Sequence, residues 1–224
     1  MRIYRIPATL EAIIFDIDST LYTHQEYAIY QNDIQIRHFV RLEGIDYQEA
    51  VERVAAARSQ WAVDHDGQAL SLGNTFCLLG HPLEESIRWR EELLEPEQFL
   101  RRDEKLKATL NQLQKWFKLG CLTNNPVLVG RRTLAALGVE KCFPVVVGLD
   151  SCRASKPHPA PFKLMVEQLG CPPEHCLSVG DRYHIDLALP LELGMGGILV
   201  DGVADVYQLP ALLTETGSAA ILEP

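Results

Sequence analysis

The sequence predicts an α/β fold: a doubly wound parallel sheet with an inserted all-helical domain after its first strand. Three observations carry that prediction. A short buried-strand signal, Ala12 to Phe15, opens the chain and ends in two acids, Asp16 and Asp18. Helical periodicity without a strand signal then continues for about eighty residues. From Asp103 onward, short apolar runs alternate with helical segments, and strand–helix units in series imply a parallel sheet with helices on both faces. The core domain is therefore expected over residues 1–20 and 104–224, and the helical insert over residues 21–103.

Each element has its own signal. Ile29, Ile36, Phe39 and Val40 recur at helical spacing and predict a helix from about Gln25 to Glu43, stopped by Gly44. Asp46 and Glu49 have capping-box spacing and open a second helix that runs to about His65, where Asp66-Gly67 breaks it. A less regular piece, Ala69 to Leu79, precedes a helix from Pro82 to Leu94, with proline at the tolerated first position. Asp103 caps a helix carrying Leu106, Leu110, Leu113 and Phe117 on one face, with Gly120 just past its end. The alternation continues with a strand at Cys121 to Thr123, a helix to Leu137, a strand at Pro144 to Gly148 and a helix from Pro161 to Leu169. It ends with a strand at Cys176 to Val179, a helix to Leu193 and a strand at Gly197 to Val200.

Composition narrows the function. The chain has 224 residues, 47% hydrophobic and 23% charged, and a formal net charge of −9. That acidic excess argues against nucleic acid or an anionic membrane as the main partner, yet a small anionic substrate remains compatible where local cations gather. No apolar run approaches the ~20 residues of a membrane span. Met1 to Leu10 lack the layout of a signal peptide, so the cytoplasm is the expected compartment. Six cysteines form no Cys-X-X-Cys pair, and Cys171, His175 and Cys176 lack a nearby fourth zinc ligand, so reduced thiols are expected.

In a sheet of this kind ligands bind outside the carboxyl ends of the strands. Asp16 and Asp18, alternating along an extended segment, are expected to point the same way. Two carboxylates at the mouth of a buried strand repel unless a cation neutralises them, and Mg²⁺ with oxygen ligands is the natural partner. The pair also permits one acid to act as nucleophile and the other as proton carrier. Thr123 and Asn124 precede a helix N-terminus that favours anions. Lys156 follows the next strand, and Gly180-Asp181 ends another, with Asp186 five residues on. Taken singly, each has an ordinary reading: turn acids, a solvated lysine, a helix cap.

Together, Asp16-X-Asp18-X-Thr20-Leu21, Thr123-Asn124, Lys156-Pro157 and Gly180-Asp181-X4-Asp186 resemble, in order, the four motifs of the haloacid dehalogenase (HAD) superfamily. The insert looks like that superfamily's helical C1-type cap. Leu21-Tyr22 and Gln68-Ala-Leu-Ser-Leu-Gly73 look like its pyrimidine 5′-nucleotidase branch. The resemblance implies that Asp16 attacks phosphorus and that Asp18 moves the proton. It implies Mg²⁺ on Asp16, Asp181 and the Asp18 carbonyl, with Asp186 supporting the metal directly, through water or through Lys156. Thr123, the Asn124 amide and Lys156 would bind the phosphoryl group. Two departures stand out: Ser19 occupies a position that is glycine in many members, and Pro190 sits early in a helix.

The implied activity is a Mg²⁺-dependent phosphatase of a small phosphorylated metabolite, nucleoside 5′-monophosphates first, then 2-phosphoglycolate or sugar phosphates. A 2-haloacid dehalogenase typically lacks the second acid, a phosphomutase shares all four motifs, and a silent binding module would have lost Asp16, Lys156 or Asp181. The insert, tethered near the end of the first strand, is expected to act as a lid whose segment from Gln68 to Thr75 reaches the substrate, with Leu72 and Asn74 setting specificity. No oligomeric state follows from these patterns.

Overall fold

Four consecutive apolar residues, Ala12 to Phe15, need cover on both faces, and they form a strand buried at every position. The structure is a computed structural model and describes residues 1–65, 67 and 70–219. The strands are β1 (Arg2–Arg5), β2 (Ala12–Phe15), β3 (Lys118–Leu122), β4 (Val145–Val147), β5 (Cys176–Gly180) and β6 (Gly196–Leu199). They form a sheet in the order β1-β6-β5-β2-β3-β4. Helices α1 (Gln25–Glu43), α2 (Tyr47–Asp64), α3 (Leu72–Leu78) and α4 (Leu83–Leu93) lie between β2 and β3, followed by α5 (Pro96–Phe99) and α6 (Glu104–Leu113). The remaining helices are α7 (Val127–Ala136), α8 (Leu149–Cys152), α9 (Pro159–Leu169), α10 (Ala188–Glu192), α11 (Val203–Val206) and α12 (Leu209–Ala219). No helix of the described residues is long and apolar enough to cross a membrane.

The sheet is parallel from β4 to β6, but β1 runs antiparallel to β6 at the edge. A parallel sheet was the expectation, and the five strands it named are parallel, whereas β1 was not among them. The edge strand escapes it because Arg2 and Arg5 leave no apolar alternation, as edge strands commonly do. The strand expected at Cys121 to Thr123 begins earlier, at Lys118. Gly120, taken for a helix stop, lies inside that strand, where a Cβ would stand 2.7 Å from the Met165 sulfur of α9. Close packing of a helix on the sheet is the reason for this glycine. Ala12, Ile14, Leu122 and Val147 meet Phe162, Met165 and Leu169 of α9 on one face. On the other face Phe15 lies edge-on to Phe143, with ring centroids 6.0 Å apart.

The chain divides into two compact units, residues 1–24 with 96–224, and residues 25–95. Residues 21–24 and 96–103, assigned to the insert on sequence, group with the first unit. There α5 packs on α7, and the Asp103 amide donates to the Leu137 carbonyl at 3.1 Å. In the second unit Phe39, Ala50, Val54, Leu72, Phe76 and Trp89 form the core. Asp46 caps α2 as its spacing predicts, accepting from the Glu49 amide at 2.8 Å. Much of the piece expected to be irregular is helix α3, capped by the Ser71 hydroxyl, which accepts from the Asn74 amide at 3.2 Å. Pro82 is the residue before α4 rather than its first. The break at Asp66 and the Gln68-Ala69 part of the nucleotidase-like segment lie outside the described residues.

Asp103 joins sequence signal and tertiary structure in the first unit. One carboxylate oxygen accepts from the Leu106 amide at 2.8 Å, and the other accepts from the Tyr207 hydroxyl at 2.6 Å. Burial, then that bond, pushes the Tyr207 hydroxyl up to about 12. Asp103→Ala should lower the unfolding free energy by about 2 kcal/mol, the sum of a lost cap and a lost charge-assisted bond. Urea denaturation checks this. A loss no larger than that of an ordinary surface substitution would contradict it.

Candidate active site

The position of the site follows from strand order. From β2 the chain proceeds to β3 and β4 on one side, then returns to β5 and β6 on the other. The carboxyl ends of β2, β3 and β5 therefore adjoin at a topological switch point, where open α/β sheets bind ligands. Asp16, just past β2, still donates its amide to the Val179 carbonyl at 2.9 Å and is 3% exposed. Beyond it the chain turns back on itself, with the Thr20 and Leu21 amides donating to the Ile17 carbonyl at 3.3 and 3.0 Å.

Ser19 sits in that turn at a φ of 61°, the left-handed region. An L-residue with a side chain pays roughly 1–2 kcal/mol there, which accounts for glycine as the alternative at this position. The assigned strand ends at Phe15, and the two acids take different hydrogen-bond partners.

A buried group of charges forms the centre. The Lys156 ammonium donates to Asp16 Oδ1 at 2.7 Å and to Asp186 Oδ1 at 2.6 Å, and all three side chains are about 2% exposed or less. Burial pulls the Lys156 pKa down, but the Asp16 and Asp186 carboxylates outweigh it and hold the group above its usual range. Burial pushes Asp16 up to about 7; Lys156 opposes that rise and Asp186 adds to it. Asp181 is raised as well, by burial first, with Arg182 opposing.

Two cations, Lys156 and Arg182, against three acids leave one negative charge uncompensated. Asp16, Asp181 and Asp186 each offer a carboxylate oxygen within 4.8 Å of the others. Asp16 Oδ2 and Asp181 Oδ1 are buried without a hydrogen-bond donor, although the Arg182 guanidinium lies 3.5 Å from the latter. Orphaned oxygens on clustered, hard carboxylate ligands fit a divalent cation, which would reverse the upward pKa shifts.

Local structure holds these groups. The Asn124 side chain clamps the backbone of Lys156 from both sides: its amide donates to the Lys156 carbonyl at 3.1 Å, and its oxygen accepts from the Lys156 amide at 2.7 Å. Thr123 is 2% exposed and its hydroxyl accepts from the Asn125 amide at 3.1 Å. The expected anion-binding start of α7 is already partly filled, because the Val127 amide donates to an Asp150 carboxylate oxygen at 2.9 Å. Asp186 is not a simple N-cap. It lies within a π-helical turn, Tyr183–Leu187, and its Oδ2 accepts from the Arg182 amide at 3.0 Å. Gly180 is required beside it, since a Cβ there would stand 2.4 Å from that of Asp186.

The structure thus brings Asp16, Lys156, Asp181 and Asp186 together. Asp18 is not one of the three clustered acids but borders them, its charge acting on Asp16: its Oδ1 accepts from the Tyr22 hydroxyl at 2.5 Å and its Oδ2 from the Asn125 side-chain amide at 3.0 Å. Tyr22, Asn125 and Arg182 were not assigned roles from sequence. Asn125 meets Asp18 from 107 residues away, a partner only the fold supplies, whereas Tyr22 and Arg182 engage acids within four residues of themselves. Leu72 and Asn74 belong to the second unit. Leu72 is 5% exposed among the core residues of that unit, which corrects its expected role in specificity: no substrate can reach a side chain committed to packing.

The fold and this constellation define a class of hydrolase. The model of the haloacid dehalogenase-like hydrolases matches residues 10–190, and the chain belongs to that family. Over 184 residues it is 29% identical to the pyrophosphatase PpaX of Bacillus pumilus (strain SAFR-032), covering 79% of this chain and 77% of that protein. Over 74 residues it is 43% identical to a phosphoglycolate phosphatase of Escherichia coli (strain K12), covering 33% of this chain and 29% of that protein. A HAD phosphatase from Thermococcus onnurineus has a similar fold, with a TM-score of 0.60 and 24% identity over 91% of this chain and 98% of that one.

The charge group makes a stability prediction. Lys156→Ala leaves two carboxylates buried beside each other without their cation, and should destabilise the metal-free protein by about 3–5 kcal/mol. Asp186→Asn in the same chain should restore part of the loss. Denaturation in excess chelator measures both, and a neutral Lys156→Ala would show that the ammonium does not hold these acids.

Proposed function

We propose that this chain is a Mg²⁺-dependent phosphatase of small phosphorylated metabolites, with Asp16 as nucleophile. The observation that carries the reading is the buried group of Asp16, Lys156 and Asp186, with orphaned oxygens on Asp16 and Asp181 facing a place for a divalent cation. Phosphoryl transfer needs chiefly charge neutralisation and alignment, and this group supplies both. The names of the relatives, a pyrophosphatase and phosphoglycolate phosphatases, support phosphate esters or anhydrides as the substrate class.

In this reading a carboxylate oxygen of Asp16 attacks phosphorus while the ester oxygen leaves, and Asp18 gives that oxygen a proton. Water then attacks the aspartyl-phosphate, Asp18 takes up a proton, and Asp16 is restored as phosphate departs. Lys156 holds Asp16 in place and offsets charge on the transferring group. Thr123 and the Asn124 amide bind phosphoryl oxygens. A divalent cation held by Asp16 and Asp181, with Asp186 behind them, would neutralise charge on the nucleophile and the phosphoryl group. Tyr22 and Asn125 keep the Asp18 carboxylate in one orientation between the two proton transfers. Residence in the cytoplasm suits six free thiols.

Phosphate release across a panel of 2-phosphoglycolate, pyrophosphate, sugar phosphates and nucleoside 5′-monophosphates tests the reading. At least one should turn over, stop on chelation and recover with Mg²⁺. Asp16→Asn should cut that turnover by about 10³-fold or more while the fold persists. Full activity in excess chelator, or a near-normal Asp16→Asn variant, would remove the reading.

A further inference from the structure

A buried serine stands where a central strand calls for an apolar residue. Ser178 lies in the middle of β5, between β2 and β6, and is 3% exposed. Its neighbours in the strand, Leu177 and Val179, are fully buried and apolar. A hydroxyl in such a place is costly unless bonded, and Ser178 Oγ donates to the backbone carbonyl of Asp186 at 2.7 Å. That carbonyl has a particular need. In an α-helix it would accept from the amide of residue 190, but residue 190 is a proline and has no N–H. Pro190 is buried in α10, directly after the π-helical turn that carries Asp186.

We infer that Ser178 is a positioning residue: its hydroxyl replaces the amide that Pro190 lacks, and so fixes the turn that aims Asp186 at Lys156. The inference rests on the phosphatase reading above and names how that site is held. Asp186 is located from three directions. Gly180 leaves the space for its Cβ, the Arg182 amide holds Oδ2, and Ser178 holds the carbonyl. Remove the last, and the carboxylate loses its fixed distance to the Lys156 ammonium, now 2.6 Å. Lys156 in turn orients Asp16, and Asp186 completes the three-acid cluster. Ser178 and Pro190 therefore form a pair: either both are present, or a residue with an amide at position 190 makes the hydroxyl dispensable.

The test uses the full-length protein and four forms: wild type, Ser178→Ala, Pro190→Ala and the double variant. For each, kcat and KM on the best ester of the panel, Mg²⁺ affinity by calorimetry and the thermal midpoint are measured. Ser178→Ala should lower kcat about ten-fold and weaken Mg²⁺ binding, with KM little changed, the scale of one lost buried hydrogen bond. Pro190→Ala should be close to wild type. The double variant should regain kcat and Mg²⁺ affinity to within about three-fold of wild type, because the new amide can serve the Asp186 carbonyl.

A Ser178→Ala protein with a lowered midpoint but unchanged kcat and Mg²⁺ affinity would overturn the inference, leaving a structural serine. So would loss of both that Pro190→Ala fails to restore. If Ser178→Ala does not fold, the double variant decides alone, since it should be near wild type. If wild type hydrolyses no ester, the phosphatase reading fails, and the Mg²⁺ affinities still decide whether Ser178 positions Asp186.

Discussion

The ammonium of Lys156, buried between the carboxylates of Asp16 and Asp186, is the interaction on which the rest of the first unit depends. Three side chains from distant parts of the chain can meet there only if β2, β5 and the loop after β4 converge at the same end of the sheet. Such a group is a poor source of stability, because removing charges from water costs nearly all that their attraction returns. Its value is geometric. The Asn124 clamp on the Lys156 backbone, the glycine at 180 and the hydroxyl of Ser178 all hold one member of the group in place. None of the three is chemistry in its own right.

The electrostatic balance follows from the same arrangement. Lys156 and Arg182 together cannot neutralise three acids, and burial raises Asp16 and Asp181 instead of letting them ionise freely. Sites of this sort are unfinished as pure protein, and the orphaned oxygens of Asp16 and Asp181 indicate where a further positive charge fits. Asp18 is treated differently. It lies outside the three-acid cluster and accepts hydrogen bonds from two neutral donors, Tyr22 and Asn125. Two acids separated by one residue are thus given distinct surroundings, which suits the proposed division between nucleophile and proton carrier.

Much of this was legible in the sequence where local physics decides. The buried β2, the caps at Asp46 and Asp103 and the helical insert all follow from short-range pattern. The ordered motifs pointed to Asp16, Asp18, Lys156, Asp181 and Asp186 at one rim, and all but Asp18 form the buried cluster. Local pattern misled where a partner from elsewhere in the chain decides. Gly120 reads as a helix stop until Met165 packs over it, and β1 hides behind its arginines until β6 pairs with it. Leu72 reads as a loop residue until Phe76 and Trp89 close around it. Pro190 was a bare irregularity in sequence, and acquires a reason only beside Ser178, twelve residues earlier and on a different element.

The direct test of Asp16 as nucleophile is to catch the phosphoryl group on it. Enzyme mixed with its best ester and Mg²⁺, quenched in acid during a single turnover, is digested and its peptides are mapped by mass. The phosphoryl label should sit on the peptide containing Asp16, decay as phosphate is released and be missing from Asp16→Asn. A turnover that releases phosphate while Asp16 stays unlabelled at every quench time, or a label that forms on another residue, would contradict the assignment.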